Sequence, residues 1–206
     1  PFLLTLTFLP TMQKVLKNET NFISSKKNII HHMKTLTYVA LFLSGSFLGM
    51  VTLGLSLPED MSNLLFESQD KVIDLNNVDL SNKIQGNFIS KKILGIIFSN
   101  NLKVFILSLA ISCLFGTGAL FVLTWNTSVL AYLVVSSFNL HVIPRYFFHA
   151  PLEIFAFMLA GLIGGLFNFG QKQDKQFFLD VIDLSLIAVS ILFVAAIIEV
   201  FLVPLI

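Results

Sequence analysis

The chain has 206 residues, 55% hydrophobic and only 12% charged, with 22 phenylalanines, a formal net charge of +1 and a mean hydropathy of +0.84. Soluble domains carry about 25% charged residues; half that density, bunched between long uncharged runs, excludes a sizeable soluble domain. A near-neutral charge also excludes the concentrated basic face that nucleic acid requires.

Taken in chain order, Pro1 to Pro10 is apolar but too short to span a bilayer, and Met12 to Ile30 is weakly amphipathic with lysines on its polar side. The first residue is not methionine, which reads as a processed or incompletely numbered N-terminus. Residues 1–36 are expected to form a cytoplasmic or interfacial segment, and 37–206 a five-helix transmembrane domain with an extracytoplasmic loop at about 58–99.

A spanning helix needs about 20 mostly apolar residues, because the hydrocarbon core is about 30 Å thick and a helix rises about 1.5 Å per residue. Tyr38 to Leu57 meets this, with Gly45 and Gly49 at a spacing that admits a close neighbour. The acidic stretch Pro58 to Leu80 follows, carrying Glu59, Asp60, Glu67, Asp70, Asp74 and Asp79 against Lys71. From Gln85 to Phe98, apolar residues recur at helical spacing opposite Lys91 and Lys92, which predicts a helix lying on the membrane surface.

Val104 to Trp125 is the second span, with Gly116 and Gly118 within it. Asn126 interrupts the apolar run and reads as the turn of a tight helix hairpin. Thr127 to about Ile143 is the third span, ended by Phe138-Asn139-Leu140-His141 and Pro144-Arg145. His149 to Asn168 is the fourth, with Gly161, Gly164 and Gly165 as close-packing positions, and Leu184 to Pro204 the fifth. The expected fold is an all-α integral membrane protein of about five transmembrane helices plus an amphipathic interfacial helix before the second span. Lys14, Lys17, Lys26, Lys27 and Lys34 precede the first span against Glu19 alone, so the positive-inside rule puts the N-terminus in the cytoplasm.

Ionisable residues inside spans carry the information. A charge at mid-bilayer costs about 2.5 to 3.5 kcal/mol on the insertion scale, and Glu153 and Glu199 both fall within predicted spans. His149 stands four residues before Glu153, on the same helix face. With five spans, the start of the fourth, the end of the fifth and Asn101 at the head of the second face one side. An intramembrane polar cluster of Asn101, His149, Glu153 and Glu199 is therefore expected beneath the extracytoplasmic face. It reads as a structural hydrogen-bond network, as a polar site for an ion, proton, metal or lipid headgroup, or as a catalytic site. A His-xxx-Glu pair supplies two metal ligands and catalytic zinc usually takes a third, commonly histidine; no other histidine has matching spacing, so no metal or cofactor is expected. The lone Cys113 lies in an apolar run and makes no intrachain disulfide.

Phe98-Ser99-Asn100-Asn101-Leu102-Lys103-Val104, Gly116 and Gly118, Asn126, His149-Ala150-Pro151-Leu152-Glu153, Ala160-Gly161 and Ile198-Glu199 stand in an order and spacing that resemble the stage II sporulation protein M family. The resemblance covers about Ile97 to Pro204. The family usually has Asn-Gly at Asn126-Thr127 and His-Gly at His149-Ala150. It implies five spans, a cytoplasmic N-terminus and, in endospore formers, a membrane anchor for a cell-wall-degrading complex.

The function expected on these grounds is a non-catalytic multi-pass scaffold or assembly partner in the cell membrane, organising an extracytoplasmic or envelope-associated complex. Its partners would be membrane lipid and protein, a homodimer being open from the glycine spacing, and not nucleic acid. The alternative is a small transporter, channel or exporter subunit using the Glu/His/Asn site, and a third is a membrane-embedded metal-dependent enzyme.

Overall fold

A computed structural model of the chain describes residues 2–20, 32–83, 89–136, 143–170 and 175–202. The described residues form helices α1 (Phe2–Thr20), α2 (Met33–Ser56), α3 (Glu59–Lys83), α4 (Ile89–Phe115), α5 (Ala119–Ser136), α6 (Ile143–Phe169) and α7 (Lys175–Ile197), the last closing in a π-helical turn, Ile198–Leu202. Five stretches are long and apolar enough to cross a membrane: Met33–Ser56, Lys92–Phe115, Ala119–Ser136, Phe148–Phe169 and Phe177–Leu202. Large apolar side chains such as Leu41, Leu48, Leu107, Leu114 and Leu186 are exposed on them. That pattern suits a lipid solvent, in which outward-facing leucine costs nothing.

The bundle is organised around α6. Its residues Ala156, Leu159, Ala160 and Ile163 are fully buried in one core with Leu36, Leu43, Phe105, Leu120, Leu123 and Leu192. Small residues let neighbouring backbones approach it. A Cβ on Gly164 would lie 2.5 Å from Ser112 Cβ and 2.6 Å from the Leu109 carbonyl oxygen, so α4 and α6 meet at a distance only glycine permits. Gly161 and Gly165 likewise lie against Ala119 and Leu16. Gly45 and Gly49 of α2, by contrast, would meet nothing within 4 Å of an added Cβ among the described residues.

The α4–α5 hairpin is not at Asn126. Helix α4 ends at Phe115, and Gly116 turns the chain with φ +71°, a left-handed conformation that costs a residue bearing a Cβ about 1–2 kcal/mol. The α5 amide of Ala119 then donates to Ser112 Oγ at 3.1 Å, and Asn168 Nδ2 donates to the Cys113 and Leu114 carbonyls at 2.9 and 3.1 Å. These bonds satisfy backbone groups that helix ends otherwise leave open. Asn126 lies inside α5, where its Nδ2 donates to the Val122 carbonyl at 2.8 Å. An asparagine in a spanning helix can bond back to its own preceding turn, so its polarity does not require a chain reversal.

Three further features add to the sequence reading. The predicted surface helix before the second span has no break at Asn100-Asn101: α4 runs on without interruption from Ile89. The N-terminal segment packs into the bundle, since Met12 and Leu16 of α1 join the main core and Thr5 Oγ1 donates to Thr124 Oγ1 at 3.0 Å. The acidic stretch after the first span is a helix, α3, begun by Pro58 and favoured by Glu59 and Asp60 in its first turn. It is anchored to α5 by Phe66 against Tyr132, by Gln69 Nε2 donating to Ser128 Oγ at 3.0 Å, and by the Tyr132 hydroxyl donating to Asp70. On its exposed side Lys71 Nζ donates to Glu67 at 2.6 Å, which holds the Glu67 carboxyl below the usual carboxylate range. Residues 21–31, 84–88 and 137–142 and Pro204, which include His31, His141 and the expected end of the third span, lie outside the described residues.

Candidate functional site

Asn101, His149, Glu153 and Glu199 are drawn from three helices to one cavity of about 570 Å³. It opens at the end of the bundle where α4 and α6 begin and α7 finishes, hereafter the site end. The depth follows from helix geometry. Glu153 stands five residues past Phe148, where the apolar part of α6 begins, which is about 7–8 Å along the axis.

His149 and Glu153, one turn apart, present their side chains on the same face of α6. Between them Pro151 has no amide hydrogen to donate, which leaves the carbonyl four residues earlier without its helical partner and loosens this turn. Glu199 arrives from α7 on the π-helical turn Ile198–Leu202. Such a turn widens the helix locally, re-aims the side chains it carries, and is frequent at functional sites.

The atoms converge. One ligand atom each from His149, Glu153 and Glu199 lies within 4.8 Å of the others. Asn101 Nδ2 donates to Glu153 Oε1, and the His149 ring is 5% exposed. Asn126 also lines this cavity, with Asn100 and Ser99 of α4. Treating Asn126 as an intramembrane polar residue like the two glutamates, instead of as a break in the apolar run, would have placed it here from sequence.

The electrostatics are unbalanced. Lys92 and Lys103 stand at the rim and are exposed, but no described lysine or arginine pairs with Glu153 or Glu199. Two carboxylate charges no more than 4.8 Å apart would repel by at least about 3.5 kcal/mol at an effective dielectric of about 20. A hydrogen bond to a charged group returns about 1.5–3 kcal/mol, so the Asn101 amide alone does not offset that repulsion. The arrangement calls for positive charge between the carboxylates, supplied by a proton or a cation. The chain's one cysteine, Cys113, plays no part; it lies on α4 beside Gly164, toward the opposite end of the bundle.

The family model for stage II sporulation protein M matches residues 38–204, which takes in most of the first span, the other four whole and every residue of the cluster. No curated protein and no solved structure matches the chain. With its intramembrane polar residues and nearly all of its five spans inside that match, the chain belongs to the stage II sporulation protein M family.

Proposed function

We propose that this protein is a non-catalytic membrane scaffold, with its N-terminus in the cytoplasm and its site end outside, that organises an extracytoplasmic protein partner. One observation carries the reading. Helix α3 is polar, yet it is held to the bundle by Phe66, Gln69 and Asp70 and presents Met61, Leu64 and Leu65 outward, 57%, 72% and 43% exposed. Those three positions share one helical face, flanked by the acids Glu59, Asp60 and Glu67. An anchored helix bearing an apolar stripe with an acidic margin suits a protein partner that carries basic residues around an apolar patch.

Photo-crosslinking from position 64, with the intact chain in its own membrane, tests this. The expected result is a discrete adduct with a second protein, lost when Glu59, Asp60 and Glu67 are changed to lysine and retained by Glu153→Gln. Adducts with lipid alone would contradict it.

A transport role is the second reading, favoured by the polar cavity itself. Against it, the α6 residues deeper than the cavity, Met158 to Ala160 and Leu162 to Leu166, are buried in packed core. Loss of function in Glu153→Gln with the position-64 adduct absent would favour transport over scaffolding.

A further inference from the structure

We propose that His149, Glu153 and Glu199 bind one divalent transition-metal ion of the zinc or manganese class, reached through the cavity and braced by Asn101. The inference is separate from the scaffold reading and stands or falls without it.

The donor set comes first. One imidazole nitrogen and two carboxylates suit borderline divalent ions, whereas calcium takes six to eight oxygens and copper(I) prefers sulfur. The charges then match: a dication between Glu153 and Glu199 removes their mutual repulsion and leaves a neutral site, the cheapest state for a group sheltered within a membrane. Neither carboxylate has a described lysine or arginine that would compete for that role.

Geometry is within reach of binding. Zinc holds nitrogen and oxygen ligands at about 2.0–2.2 Å, so tetrahedral donors sit about 3.3 Å apart. The three donor atoms here lie within 4.8 Å of one another, so they must draw in by at most about 1.5 Å to reach that spacing, a movement open to rotations of two glutamate side chains. The turns that carry them, around Pro151 and in the π-helical segment Ile198–Leu202, lack part of the regular helical bonding and can follow. Asn101 donates to Glu153 and so orients a ligand from behind, as outer partners of metal ligands do. Three protein ligands facing a cavity of about 570 Å³ leave a coordination position open to water or a small ligand.

No local motif announces the site. His149 and Glu153 are a helical i, i+4 pair, but the third ligand is a carboxylate from the far end of α7 and not another histidine. Searching for a matching histidine spacing therefore misses it.

The test uses the full chain, purified in detergent and stripped with chelator, then titrated with Zn²⁺ and with Co²⁺ as a spectroscopic probe. The expected result is about one ion per chain, a visible Co²⁺ absorption band, and no displacement by excess Mg²⁺. Glu199→Gln and Asn101→Ala should each weaken affinity by about tenfold or more, and His149→Ala should abolish the Co²⁺ band. Size-exclusion profiles and circular dichroism identify any variant that has not folded. If His149→Ala fails there, the near-isosteric Glu199→Gln decides. No retained ion in the folded wild-type chain, or equal binding by folded Glu199→Gln, overturns the proposal.

Discussion

The contact between α4 and α6 is built in two opposite ways along its length. Toward the Gly116 end, Gly164 lets the α4 backbone come so close that no side chain fits between, and Asn168 ties off the last carbonyls of α4. Toward the site end, the same two helices are held by the Asn101–Glu153 hydrogen bond and enclose a polar cavity with Asn126 and Glu199 on its walls. One end maximises packing and ties off the last backbone carbonyls of α4. The other gives up packing to hold like charges near each other, with a proline and a π-helical turn in the backbone that carries them. Stability and chemistry are thus separated along one helix pair, which is how a small membrane bundle can hold an electrostatically costly group without unfolding.

This division is exposed to mutation in a definite order. Gly164→Leu should do most damage, because its Cβ meets Ser112 and the Leu109 carbonyl, neither free to move. A loss of about 3 kcal/mol, read as a lowered unfolding midpoint in detergent and a poor yield of monodisperse protein, is expected. Gly116→Ala comes next, at about 1–3 kcal/mol, since its backbone is left-handed and the Phe169 ring lies 2.3 Å from where a Cβ would sit. Glu153→Gln should change stability least, by under about 1 kcal/mol. It removes one of two repelling charges while its amide oxygen still accepts from Asn101. If Glu153→Gln were as destabilising as Gly164→Leu, the two ends would not be divided as described.

Much of the architecture is legible in the residues alone. The five spans follow from hydropathy and length, and Gly161, Gly164 and Gly165 follow from the need for close approach on the most buried helix. Glu153 and Glu199 stand out because charge inside a span is rare enough to notice. What is not legible depends on geometry that hydropathy averages away. The hairpin lies at Gly116 to Gly118, inside an apolar run with only Thr117 to mark it, whereas the conspicuous Asn126 sits quietly within α5. Helix α1 contains Pro10 and is apolar for only half its length, so nothing local reveals that Met12 and Leu16 dock into the core. The α3 helix hides in a charged stretch whose anchors, Phe66, Gln69 and Asp70, are explained only by their partners on α5.

The convergence of α6 and α7 beneath one membrane face underlies every step from fold to site. A chain carrying Cys113→Ser, Glu153→Cys and Glu199→Cys, treated in native membranes with a short bifunctional thiol reagent, tests it directly. Rapid intrachain linkage of positions 153 and 199, with a membrane-impermeant thiol reagent blocking both from the same side, is the result expected. Absence of linkage, or blocking of the two cysteines from opposite sides, would contradict the account.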